Sequence, residues 1–181
     1  PAQLHARDAI TRAWGQVPNL GAVLALSLPV TEAVLGFDAA LSKGAVRGAL
    51  AEQLAIAVSQ ENRCSYCLAA HTATASAYRL PADDIADART ARASDPKAAA
   101  ALRFAQLVVR QRGRVDAADI AAVRDAGWND AEIVEIVAHT ISTTLTNYLH
   151  HISDVAVDFP AVDFATDDAS VVTARSESTR L

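Results

Sequence analysis

Between residues 129 and 149 the apolar side chains Ile133, Ile136, Val137, Ile141, Leu145 and Leu149 recur every three or four positions. That is the repeat of an α-helix with an apolar stripe and is incompatible with a half-buried strand, which alternates every two. The same period returns in Leu50, Leu54, Ala57 and Val58, and in Leu102, Ala105 and Val109. Hydrophobic residues make up 51% of the 181-residue chain, and alanine supplies much of that fraction. Alanine is the strongest helix former and lets helices approach closely. With only seven glycines and six prolines, the expectation is an all-α fold in a single domain.

The punctuation divides the chain into helices. The first is expected from Ala6 to Gly15, and a second before Pro29. Thr31 is expected to cap a third carrying Val34, Leu35, Phe37 and Leu41. A strong helix is read from Val46 to about Gln60, with Glu52 in its interior, and another from Cys64 or Ser65 to about Tyr78. Pro81 opens the next, with Asp83 and Asp84 where the helix dipole favours acids. Asp95-Pro96, Asp116 and Asn129 or Asp130 read as starts, and Gly113 and Gly127 as stops. Beyond Asp154, residues 155–164 read as extended, with Pro160 inside. The expected division is a helical domain over 1–160 and a polar tail over 161–181, its last residues (170–181) expected to be mobile.

A net charge of −5 is the wrong sign for a nucleic-acid footprint. The Arg89/Arg92 and Arg110/Arg112/Arg114 groups read as solvated surface. No stretch reaches the ~18 apolar residues of a membrane span, and no basic segment followed by an apolar one opens the chain. A cytoplasmic protein with neither nucleic-acid nor membrane partners is expected. The chain has two cysteines, Cys64 and Cys67. A disulfide that short staples no long loop, so in a reducing compartment the pair reads as catalytic or metal-binding.

At about 100° per helical residue, Cys67 and His71 lie roughly 40° apart, and Cys64 within about 60° of both, if the helix begins at or before Cys64. The thiolate is the nucleophile toward peroxides and disulfides. A helix N-terminus, a neighbouring sulfur and the His71 imidazole would all raise its population. A sulfenic acid formed on one cysteine could be captured by the other and the pair reset by an external dithiol. Two other readings remain: buried structural thiols, and a zinc site on Cys64, Cys67 and His71, although structural zinc normally takes four protein ligands. Glu61 is a further acid next to the motif. His139 reads as a core histidine, His150 and His151 as partners of a helix dipole, and Trp14, Trp128 and Phe104 as core or subunit contacts.

The run Glu52-x11-Cys64-x2-Cys67-x3-His71 is similar to the core motif of the AhpD-like alkylhydroperoxidases, within the carboxymuconolactone decarboxylase superfamily. Residues 50–59 resemble the helix before that motif, and 126–133 a later helix start. Asn147 and Val157-Asp158-Phe159-Pro160 look like the ends of its peroxidase-related members. The resemblance spans about residues 18–160 and implies the AhpD-like helical fold, in homo-oligomers that are often trimers or hexamers. It implies hydroperoxide reduction with a dithiol or protein reductant and no cofactor. It also assigns roles: Cys67 attacks, Cys64 resolves, His71 is the base, and Glu52 supports His71. Some members carry a histidine where this chain has Tyr66. A tyrosine with a pKa near ~10 is a poor proton carrier, which implies a shorter relay and weaker activity. True decarboxylase members lack the CxxC pair, so its presence argues against lactone decarboxylation. A non-catalytic redox-sensing oligomer is the alternative from another functional class.

Overall fold

The computed structural model describes residues 1–166. They form nine α-helices and no strand: α1 (Ala2–Trp14), α2 (Asn19–Leu24), α3 (Leu28–Leu41), α4 (Ala49–Glu61), α5 (Ser65–Ala77), α6 (Ala82–Ala88), α7 (Pro96–Arg110), α8 (Ala117–Asp125) and α9 (Asp130–Ser153). No helix among them is long and apolar enough to cross a membrane. The all-α expectation holds.

Several boundaries follow the expected caps. Asp95 accepts the Lys97 N–H ahead of Pro96. Asp116 with Asp119, and Asn129 with Glu132, form reciprocal capping boxes. Gly127 takes φ +96 after α8, a conformation a Cβ would strain.

Other boundaries differ. α1 begins at Ala2 rather than Ala6. Thr31 is not a cap but lies inside α3, which starts after Ser27. Pro29 sits in the first turn of α3, where a missing N–H costs nothing. The Thr31 hydroxyl is buried between the carbonyls of Leu24 and Ser27. α4 begins at Ala49 rather than Val46, because Gly48 turns the chain with φ +57. The loop before it is held from α9: Glu135 Oε2 accepts the N–H groups of Ala45 (2.6 Å) and Val46 (3.2 Å). Glu52 therefore lies in the first turn of α4, not its interior.

α4 is the central element. Every residue from Gln53 to Gln60 is buried, as expected of a helix enclosed on all sides. It packs against α5, α6, α7 and α9, and Leu54, Ile56, Leu68, Leu102, Phe104, Val123, Trp128 and Ile136 belong to its core. A smaller cluster joins Ala6 and Ile10 of α1 to Leu24, Ala25 and Val34. The expected apolar path along α9 divides. Ile133 and Ile136 are buried, whereas Ile141 and Leu145 join Val134, Tyr148 and Ile152 on an exposed face. The inward face continues instead with Thr140, Thr143, Asn147 and His150, all buried.

After α9 the chain runs extended across the helices. Val162 and Phe164 pack on the main core, Gln60 brackets Ala165 through both its backbone groups (3.0 and 3.1 Å), and the Arg63 guanidinium lies over the Phe164 ring at 4.6 Å. The expectation for residues 170–181 falls outside the described residues.

Candidate active site

Cys64 is the N-cap of α5, not a helical residue. Its backbone is extended (φ −95°, ψ 101°), so the ideal-helix projection fails for this cysteine. Its sulfur turns back over the first turn and accepts the Cys67 N–H at 3.4 Å, using the unpaired donors that a helix start offers. Cys64 is fully buried and Cys67 3% exposed. Both are free thiols.

Cys67 borders a cavity of about 560 Å³ between α1, α3, α4, α5 and α9. The Glu52–His71 pair borders the same cavity, with Tyr66, Asp38, His139 and Thr146. His71 Nδ1 lies 2.8 Å from Glu52 Oε2, so the ring donates to the carboxylate from that nitrogen. Burial alone would lower the His71 pKa. The charge and hydrogen bond of Glu52, with Asp38 and Cys64 behind, outweigh it and raise the value. His71 is thus biased toward the imidazolium. Cys64 lies outside the cavity lining, behind Cys67.

The two sulfurs titrate as one unit. The first thiolate is favoured on Cys64, well below the ordinary thiol value. The Cys67 side chain bonds to it, burial opposes, and the Cys67 N–H, His150 and His151 add further stabilisation. The Cys67 thiol is pushed up by the hydrogen bond to Cys64, by burial and by the Cys64 charge, while Asn147 and Thr146 act the other way. The Cys67 sulfur lies 3.8 Å from Thr146 Oγ1. Asn147 is held by Asn62 Nδ2 at 2.8 Å and Ser59 Oγ at 3.3 Å.

Tyr66 has a different job from a proton carrier. Its hydroxyl donates to Asp158 Oδ1 at 2.6 Å and accepts the Leu20 N–H at 3.1 Å. Asp158 Oδ2 accepts the Asn19 N–H at 2.8 Å. Burial and the Asp158 carboxylate push the Tyr66 pKa up, so the phenol stays protonated. Tyr66 ties the start of α2 to the chain after α9. Glu61 lies away from the cavity, in a two-bond pair with Arg110 (2.7 and 2.9 Å).

His139 is not fully enclosed in the core. It borders the cavity, hydrogen-bonds the backbone of Val46, and is held toward the neutral form by burial. Its Nε2 is buried and has no hydrogen-bond partner among the described residues. Asp38, raised by burial, accepts the Ser142 hydroxyl at 2.7 Å. Asp38, Ser142 and Thr146 were not singled out from the sequence, and Asp158 entered only as part of the run 157–160 with no role assigned. The buried polar series Thr140, Thr143, Asn147, His150, spaced by three and four on an apolar helix, was the available signal for the α9 side of the site.

Among the described residues, one group of three Cys, His, Asp or Glu atoms is close enough to surround a metal ion: Cys64, His150 and His151, within 4.8 Å of one another. It is not the Cys64/Cys67/His71 set of the zinc reading, whose donor atoms do not gather in this way among the described residues. With three side chains, one of them exposed, it is not the closed four-ligand arrangement of structural zinc.

Residues 29–110, which include the CxxC motif, match the carboxymuconolactone decarboxylase family. Comparison with curated proteins returns no match. Among solved structures, the chain is similar to the alkylhydroperoxidase AhpD core of an uncharacterized peroxidase-related protein from Ralstonia eutropha JMP134, at 25% identity and TM-score 0.72, covering 89% of this chain and 85% of that one. A peroxidase-related protein from Silicibacter sp. TM1040 aligns at 22% identity and TM-score 0.70, covering 88% and 84%. A cysteine-to-alanine variant of the debrominase Bmp8, in complex with 2,3,4-tribromopyrrole, shares the fold at 16% identity and TM-score 0.71, covering 87% and 86%. The CxxC motif lies inside the segment that matches this family, and the chain shares the AhpD-like all-α fold over most of its length.

Proposed function

We propose that the protein is a thiol-dependent peroxidase that reduces organic hydroperoxides through Cys67 and Cys64. The observation that carries this reading is the position of Cys67 on the wall of a ligand-sized cavity it shares with the Glu52–His71 pair, with Cys64 immediately behind it. The peroxidase-related names of similar structures agree with it.

In this reading Cys67 loses its proton as it attacks the terminal oxygen of the hydroperoxide, because Cys64 is the sulfur that ionises first and Cys67 rests as the thiol. The O–O bond breaks, and the alkoxide leaves as an alcohol with a proton from His71, whose raised pKa suits it to act as the acid in this step. The proton given up by Cys67 replaces it. Cys64 then attacks the Cys67 sulfenic acid, the sulfur–sulfur bond forms, and the hydroxyl leaves as water. Dithiol and hydroperoxide become disulfide, alcohol and water, and an external dithiol restores the pair. No cofactor enters this scheme. Tyr66 contributes position rather than protons.

An assembly of identical copies belongs to the proposal. Val134, Ile141, Leu145, Tyr148 and Ile152 share one exposed face of α9, and Val30 and Phe37 are exposed on α3, an apolar surface of the kind that marks subunit contacts. Sedimentation as a monomer refutes the assembly.

The chemistry is tested with hydroperoxide consumption and mass spectrometry of the cysteines. Cys67→Ser abolishes turnover. Cys64→Ser leaves a sulfenic acid on Cys67 that a dimedone probe captures. No consumption with any dithiol reductant, together with cysteines that never cycle, refutes the reading. Cycling cysteines with an oxidation-dependent change of assembly and no turnover would replace it with a redox sensor.

A further inference from the structure

The second buried histidine at the dithiol, His150, has no part in the scheme above. It lies near the end of α9, 7% exposed, 86 residues from Cys64 in sequence. Its ring is held on three sides. Nε2 lies 3.2 Å from the Val155 carbonyl, the Tyr66 ring packs at 5.2 Å between centroids, and Nδ1 lies 3.6 Å from Cys64 Sγ.

The Val155 contact decides the tautomer. A backbone carbonyl can only accept, so Nε2 carries a hydrogen. In the neutral ring, Nδ1 then carries the lone pair. That lone pair faces the sulfur of Cys64, which is the proton source within reach. The arrangement is a sulfur, a base and a carbonyl that orients the base. It stands outside the cavity, whose lining includes neither Cys64 nor His150.

We propose that His150 is the base of the dithiol: Nδ1 takes the proton of Cys64 Sγ, and the resulting imidazolium remains as the ion-pair partner of that sulfur. The assignment rests on the dithiol reading above and divides the work between two histidines. His71 serves the oxygen that leaves in the cavity. His150 keeps the second sulfur ionised, ready to attack once Cys67 is a sulfenic acid. The step is a proton transfer: the S–H bond of Cys64 breaks, the N–H bond of His150 forms, and no electron leaves the pair. When Cys64 becomes part of the disulfide, the proton it gave to His150 goes to the departing hydroxyl, which leaves as water, and the ring returns to the neutral form.

The charged and titratable groups around His150 are few. On α9 the neighbouring His151 ring lies at 6.2 Å, with its Nε2 3.4 Å from the Arg63 carbonyl. On α5 stand Cys67 and Tyr66, the latter bonded to Asp158 of the C-terminal segment. Cys64 is the group whose charge His150 meets directly.

The test uses the whole protein with Cys67→Ser, so that Cys64 is the sole thiol, and follows thiolate absorbance against pH. His150→Gln is expected to raise the Cys64 midpoint by at least one unit, leaving about tenfold fewer thiolates at any pH below it. His150→Asn, which places an amide near the Nδ1 position but cannot take up a proton, is expected to recover only part of that loss. An unchanged midpoint in both variants, with each protein folded by circular dichroism, overturns the proposal. A second measurement needs no His150 variant. Nitrogen NMR of the His150 ring in the wild type is expected to show Nδ1 protonated in the reduced protein and carrying its lone pair in the disulfide form. A neutral ring throughout, or one indifferent to oxidation, also overturns it. Failure of the peroxidase reading looks different: the His150-dependent titration persists, and no protein consumes hydroperoxide.

Discussion

Tyr66→Phe separates a proton carrier from a clasp. The substitution keeps the ring and its contacts with His150 and Phe159 and removes only the hydroxyl. Two hydrogen bonds go with it. The 2.6 Å bond to Asp158 is of the charge-assisted kind worth about 1.5–3 kcal/mol, and Asp158 is exposed enough for water to replace it, which places its share near ~1.5 kcal/mol. The Leu20 N–H is in the buried part of the contact, and an orphaned buried donor costs about 1–3 kcal/mol. Together they give a loss of about 3 kcal/mol. At roughly 2–4 °C per kcal/mol for a chain of this size, Tm should fall by about 6–12 °C. Asp158→Asn keeps an acceptor and should lose less. The pH profile of hydroperoxide turnover, measured well below the melting range, should keep its shape, because the phenol is protonated throughout. Calorimetry and the rate profile are the assays. A fall in Tm under about 2 °C removes the clasp, and a displaced limb of the pH profile returns Tyr66 to the proton path.

Glu52→Gln keeps the shape of the His71 partner and removes its charge, so the His71 midpoint should fall, and the alkaline limb of turnover should move to lower pH with it. The folded His71 value is raised above the unfolded value of about 6.5. Its pairing therefore stabilises the fold fully below that value and fades as pH climbs through the folded one. The stability gap between wild type and variant, from urea unfolding, should be wide in mild acid and close in alkali. A gap independent of pH would falsify this. Glu61→Gln should change Tm little, because Arg110 is largely exposed in that pair and such pairs contribute about 0–1 kcal/mol. It should leave the thiolate titration unmoved, and a shifted midpoint would bring Glu61 back to the site.

Caps and periodicity made much of the fold legible. Asp95, Asp116 and Asn129 each announce a helix through a side-chain oxygen that serves the first turn, a local interaction that sequence spacing can express. Glu52, Cys67 and His71 were legible for the same reason together with the family resemblance, and the structure places all three at one cavity. Spacing left the helix start open between Cys64 and Ser65, because a cysteine at an N-cap and one in a first turn have the same spacing to Cys67 but different backbones; the start at Ser65 removes Cys64 from the helical face. Glu52 was placed too deep in its helix because the turn at Gly48 is fixed by Glu135, some 90 positions away. The contact of His150 with Cys64 spans 86 positions. Helical periodicity gives the face a residue occupies, but not which helix that face will meet.

The strap from Gln60 across Ala165, with Phe164 under Arg63, bears on how an oxidised pair would be reopened. It crosses the end of α4 just before Cys64, and Cys64 itself has no exposed surface. In the proposed cycle an incoming reductant would meet the sulfur of Cys67 first, and the mixed disulfide would form there. Cys64 is then the leaving group. A sulfur whose thiolate is favoured departs faster, so the features that prepare Cys64 for attack also make it the readier to be expelled. Reduction gains a direction from this asymmetry: entry at one sulfur, departure of the other into the company of His150.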